Sequence, residues 1–252
     1  MTTQIAIAGK GGTGKTTFTA LLLRYLMREK KGKALLAVDA DANANLNEAL
    51  GLEVDNTIGD ILMGIKDPRV IPPGMTKDIY MEFKVQEALV ESEALDLLVM
   101  GNPQGPGCYC YPNDLLSKYL EKLHGNYDYI TIDNEAGMEH LSRRIVKNID
   151  YLIVSSDASA RGVRSARRIH EIVRSVKLDI KEMFLVISRA SDASDVSFLE
   201  EEIEKTGLRL AGVIPFDSLV MEYDLKGKPL VQLPQESLAV QAVEKIITGL
   251  NL

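Results

Sequence analysis

Short unbroken apolar runs alternate along the chain with longer stretches in which apolar residues recur every three or four positions. The runs lie at 5–8, 34–38, 96–100, 127–132, 151–155, 183–187 and 210–214. The helical pattern fills 16–30, with Phe18, Leu21, Leu22, Tyr25 and Leu26 on one face, and returns at 113–123, 162–176 and 236–250. Strands that are apolar without alternation are covered on both faces, as in parallel sheets. Strand and helix in turn therefore predict an α/β fold, a mostly parallel doubly wound sheet with helices on either side. Residues 51–95 break the rhythm. Gly51, Gly59 and Gly64 separate short helical pieces, the cluster Pro68, Pro72, Pro73, Gly74 marks a loop, and 85–93 fits strand or helix equally.

The first run opens into chemistry. Gly9, four residues, then Gly14, Lys15 and Thr16 is the spacing of a phosphate-binding P-loop between a strand and a helix. With Gly11, Gly12, Thr13 and Thr17 it makes a loop whose backbone N–H groups converge on phosphate at a helix N-terminus. Lys15 would reach the β/γ-phosphates of ATP or ADP, and the Thr16 hydroxyl would ligate Mg²⁺. Asp39 and Asp41 follow the second strand, where ligands of doubly wound sheets gather. They read either as carboxylates serving Mg²⁺ and an attacking water or as an Asp-rich helix cap. Asp133 directly after the 127–132 run is a Walker B pattern, reaching Mg²⁺ through water. Gly137 would let the backbone approach the γ-phosphate, and the loop at Pro215 would border the base.

Composition narrows the classes. At 252 residues and 46% apolar content the chain suffices for one P-loop domain spanning 1–252 with a full core. A net charge of −7 gives no overall attraction to nucleic acid or acidic membranes. No apolar run reaches spanning length and the P-loop begins almost at once, so the expectation is a cytoplasmic protein. The two cysteines, Cys108 and Cys110, sit one residue apart in a Gly/Pro-rich loop. They offer two thiolates to Zn²⁺ or Ni²⁺, and a two-fold dimer would complete four ligands; two buried small residues is the competing account.

The loop GKGGTGKTT resembles the deviant Walker A motif of the nitrogenase iron protein and MinD-like ATPases, the SIMIBI class of P-loop proteins. That resemblance implies a homodimer in which Lys10 crosses to the partner's nucleotide, Asp41 positions the water and Asp39 serves the outer metal shell. Together with VDADANANL, MGNPQGPGCYCYPN and DNEAGMEHLSRR, the chain looks like the CooC-type nickel-insertion ATPases. The wider resemblance implies that Cys108 and Cys110 hold Ni²⁺ or Zn²⁺ between subunits. ATP turnover would then drive nickel delivery to a client, carbon monoxide dehydrogenase or acetyl-CoA synthase, with no nucleic-acid or membrane partner. Two positions depart from the pattern. No second cluster cysteine stands near Gly137, which disfavours a bridging iron–sulfur cluster, and Ser188 stands where relatives place an asparagine on adenine. A ParA- or MinD-like partition or positioning ATPase that binds DNA or membrane is the alternative. Its support is the cluster Arg161, Arg164, Arg167 and Arg168, which is also what a solvated helix face looks like.

Overall fold

The computed structural model describes residues 2–65, 68–102, 110–136, 148–191 and 196–252. In chain order the strands are β1 (Thr3–Gly9), β2 (Leu35–Ala40), β3 (Val90–Glu91), β4 (Asp96–Val99), β5 (Tyr129–Asn134), β6 (Ile149–Asp157), β7 (Ile180–Ala190) and β8 (Arg209–Pro215). The helices are α1 (Lys15–Glu29), α2 (Leu46–Leu50), α3 (Ile58–Gly64), α4 (Lys77–Glu87), α5 (Cys110–Leu123), α6 (Ala160–Val176), α7 (Glu200–Glu204), α8 (Ser218–Leu225) and α9 (Leu238–Gly249). The eight strands form one sheet in the order β3-β4-β2-β5-β1-β6-β7-β8. All pairs are parallel except the short β3, which runs antiparallel against β4 at the edge.

Each strand feeds two cores because successive side chains leave a strand on opposite faces. On β1, Ile5 and Ile7 join Phe18, Leu22 and Leu26 of α1 and Val243 and Ile247 of α9. Ala6 and Ala8 point the other way, into a core with Val163 and Ile169 of α6, Leu116 and Leu120 of α5, and Met81 and Val85 of α4. Both faces are covered, and for that reason the strands read as unbroken apolar runs. The ambiguous 85–93 stretch resolves into the end of α4 followed by β3. Val85, on the inward face of α4, is fully buried and belongs to the helical half.

β1 lies between β5 and β6, and the chain leaves it toward β2 on one side and reaches β6 on the other only later. This reversal opens a crevice above the carboxyl ends of the central strands, where doubly wound sheets bind ligands. The P-loop follows β1 directly into it.

Candidate functional site

Gly9 ends β1 in register with Ser155 of β6. A Cβ there would lie 2.4 Å from the Ser155 carbonyl oxygen and 2.8 Å from Thr13 Oγ1. No side chain fits, and the close approach lets the loop turn tightly over the sheet. Thr13 is buried. Its N–H and hydroxyl both donate to the Lys10 carbonyl, at 3.3 and 2.8 Å. Gly14 takes φ 80°, a left-handed conformation that suits glycine, and its carbonyl accepts the Phe18 N–H at 2.9 Å to start α1.

The start of α1 has neither a side-chain cap nor an acidic residue in its first turn. Its first amides lack intrahelical acceptors, and the positive end of a 15-residue helix is left to an external anion. Lys15 is buried within this turn, whereas Lys10 is exposed at the rim. A buried ammonium suits a fixed phosphate contact, and an exposed one suits something beyond the chain.

Thr16 Oγ1 donates to Asp133 Oδ2 at 2.6 Å. Asp133 is 1% exposed, and its Oδ1 is buried without a hydrogen-bond partner among the described residues. Burial pushes this carboxyl up to about 7, against the Thr16 hydrogen bond and Lys15, with Asp39 adding repulsion. An orphaned carboxylate oxygen beside a hydroxyl is the donor set that a hard cation takes, so Thr16 and Asp133 fit Mg²⁺. Bound there, the ion would neutralise charge between phosphate oxygens.

Asp39 faces Asp133 across β2 and β5. Its two oxygens accept the backbone amides of Asp41 (3.0 Å) and Leu46 (2.9 Å), and burial raises its pKa to about 6. These bonds occupy it with the fold of the loop. Asp41 is less buried and lines the cleft; its Oδ1 accepts both nitrogens of Asn43, at 2.9 and 3.0 Å. Asn134 ties the end of β5 to β1 by donating to the Ile7 carbonyl at 2.9 Å.

These elements border a cleft of about 540 Å³, within the range of small-molecule sites. Its lining includes Gly11, Gly12, Gly14, Lys15, Thr16 and Thr17 of the loop and the apolar residues Phe18, Ile214, Pro215, Phe216 and Val220. Pro215, expected to border a base, is among the residues that line this apolar part of the cleft. Ser188 also lines the cleft, but its hydroxyl donates to the Thr13 carbonyl at 2.6 Å and reaches the Ser156 carbonyl at 3.2 Å. Its side chain serves the loop. Gly137 and His140 lie outside the described residues.

Two cleft residues were not singled out as site residues from the sequence. Arg189 sits at a bulge between β7 and β8 with φ 56°, exposed and lining the cleft; a bulge is a pairing irregularity that one strand's pattern does not encode. Asp217 caps α8 through Leu219 N–H at 2.9 Å and binds Ser237 Oγ (2.6 Å) and Ala239 N–H (3.0 Å) at the start of α9. The Asp217-Ser218 pair shortly after Pro215 was a visible hint of a helix cap.

The nickel or zinc expectation is corrected. Among the described residues no group of three or more His, Cys, Asp or Glu could hold a metal ion. Cys108 lies outside the described residues, and Cys110 opens α5 with its side chain outside the description. Two soft ligands without further donors do not make a closed centre. Among the described residues no helix is long and apolar enough to cross a membrane.

The family model described as the CobQ/CobB/MinD/ParA nucleotide binding domain matches residues 5–230. An ATP-binding protein of Methanocaldococcus jannaschii is 42% identical over 245 residues, covering 96% of each chain. The carbon monoxide dehydrogenase accessory protein CooC of Rhodospirillum rubrum is 29% identical over 89% of this chain and 88% of its own. The MinD cell division protein of Aquifex aeolicus superposes with a TM-score of 0.72 at 26% identity, over 99% of this chain and 96% of that one. The likeness thus runs to MinD cell-division and septum-site proteins as well as to CooC, which overturns the expected nickel-enzyme client and the expected lack of nucleic-acid and membrane partners. The chain belongs to the CobQ/CobB/MinD/ParA nucleotide-binding family and is a SIMIBI-class P-loop ATPase related to MinD, ParA and CooC.

Proposed function

We propose that the protein is an ATP-driven positioning switch that closes as a homodimer over nucleotide and, when closed, docks on DNA through α6. Within the site, the loop amides and Lys15 hold the phosphates and stabilise charge on the transferring phosphoryl group. Thr16 and Asp133 hold Mg²⁺. Asp41 orients the attacking water, and Asp39 fixes the turn that presents Asp41. Lys10, exposed on the loop, reaches the partner's nucleotide.

The observation that carries the docking surface is the outward face of α6. Val163, Ala166, Ile169 and Val173 are buried against the sheet, which leaves Arg161, Arg164, Arg167, Arg168 and Arg174 exposed. Arg164 pairs with Glu202 at 3.3 Å and Arg167 with Glu171 at 2.9 Å, while Arg161, Arg168 and Arg174 have no ion pair among the described residues. Arg161, Arg164 and Arg168 form one stripe at helical spacing, and such a stripe attracts phosphates locally despite the acidic total. Names in the family that refer to partition and septum positioning point the same way. The apolar face of α9 is spent on the core, which disfavours that helix as a lipid anchor. The finer kinship with the CooC branch rests on the 29% identity and concerns descent, with no metal role attached.

The test is a salt series of DNA shift assays with ATP, with ADP and without nucleotide. Wild type should bind with ATP, and R161E/R164E/R168E should bind at least tenfold more weakly with a log–log salt slope flatter by about 3. Co-sedimentation with anionic liposomes, unaccompanied by any DNA shift, would replace DNA by membrane as the surface recognised.

A further inference from the structure

Two serine hydroxyls converge on one carbonyl beneath the P-loop. Ser155 Oγ at the end of β6 and Ser188 Oγ at the end of β7 each donate to the Thr13 oxygen at 2.6 Å. All three residues are buried, at 3%, 4% and 1% exposure. A carbonyl oxygen has two lone pairs, and here both are taken from below, from the sheet side.

The peptide that follows is the one that matters to phosphate. Among the described residues no peptide bond is cis, so the Thr13 C=O and the Gly14 N–H point in opposite directions across one plane. Holding the oxygen down against the sheet therefore turns the Gly14 N–H up, toward the cleft that Gly14 lines. That N–H has no acceptor among the described residues. The constraint is needed because glycine resists rotation poorly. Gly14 sits at φ 80° and tolerates either sign of φ, so the Thr13–Gly14 plane could otherwise swing over and present an oxygen to the anion.

We propose that Ser155 and Ser188 are positioning residues that lock the Thr13–Gly14 peptide with its N–H aimed at the nucleotide's phosphates. Ser188 thereby acts on phosphate from beneath the loop, through Thr13, and not on the base. The proposal rests on the loop holding phosphate, a premise that the wild-type titration tests separately from the serines; it is independent of DNA docking.

The experiment titrates ADP with Mg²⁺ into the full chain as wild type, Ser155→Ala, Ser188→Ala, the double alanine variant and Ser188→Thr. Calorimetry gives affinity, and the backbone amide resonances of Gly14 and Phe216 report the phosphate and base ends. Removing both hydroxyls should weaken ADP about tenfold or more, with each single change intermediate. The ADP-induced shift of the Gly14 amide should shrink, that of Phe216 should persist, and Ser188→Thr should retain wild-type affinity. Should the double variant not fold, the single Ser188→Ala carries the same paired comparison. Wild-type affinity with an unchanged Gly14 response in the alanine variants would overturn the assignment. So would loss of the Phe216 response with Gly14 intact, which would place Ser188 on the base. Failure of the wild type to bind ADP would instead remove the premise.

Discussion

Replacing Asp133 by asparagine isolates the electrostatic load carried by the buried carboxylate beside Thr16. Burial raises this carboxyl from 3.8 to about 7, opposed by the Thr16 hydrogen bond. A shift of about three units corresponds to roughly 4 kcal/mol at about 1.4 kcal/mol per unit. The sign follows from linkage. The folded carboxyl holds its proton more tightly than the unfolded one, so its contribution is fully present below pH 4 and is lost as pH rises toward 7. Asparagine keeps an acceptor for Thr16 and removes the charge, at the expense of an amide N–H₂ facing an unpaired position, about 1 kcal/mol or more. The variant should therefore be more stable than wild type by about 2 to 3 kcal/mol at pH 8, a gain of roughly 4 to 12 °C for a chain of this size. Thermal unfolding in chelator without nucleotide, at pH 5 and pH 8, measures this. The difference should nearly vanish at pH 5, and Mg²⁺ with ADP should stabilise the wild type far more than the variant. A variant less stable than wild type at pH 8, or a difference equal at both pH values, would refute the reasoning.

Three further outcomes are expected. Gly9→Ala forces a Cβ to within 2.4 Å of the Ser155 carbonyl oxygen, so it should displace the loop and abolish measurable ATP turnover, read in a phosphate-release assay. Asp217→Ala removes the cap of α8 and the bonds to Ser237 and Ala239 at once, and should cost about 2 to 3 kcal/mol in denaturant unfolding. For Asp217 burial raises the pKa but the hydrogen bonds from Ser237, Ala239 and Leu219 outweigh it and leave it lowered, so its stabilisation should fade as pH drops below 4. Lys10→Ala should leave ADP affinity within about twofold while lowering turnover at least tenfold and suppressing ATP-dependent dimerisation by light scattering, since the amine is exposed at the rim.

Periodicity was enough to reveal a covered parallel sheet, because strands buried on both faces and helices buried on one leave different spacings. The spacing of Gly9, Gly14, Lys15 and Thr16 was equally plain, since the loop's chemistry is built from neighbours in the chain. Asp133 was legible as the acidic residue after an apolar strand, whereas the roles of Ser155 and Ser188 beneath the loop were not. Each lies more than a hundred residues from the loop, and only the parallel register of β5, β1, β6 and β7 brings them beneath or beside it. Ser188 drew attention as a departure from the asparagine that relatives place on adenine, but the direction of its hydroxyl is set by packing. The cysteine pair invited a metal because proximity in sequence suggests a half-site; the remaining ligands would have had to come from elsewhere in the fold, and the described residues do not supply them. Local spacing thus determined the phosphate loop and the layered α/β plan, whereas long-range strand register decided which side chains hold that loop in place, because contacts between distant residues exist only once the sheet has closed.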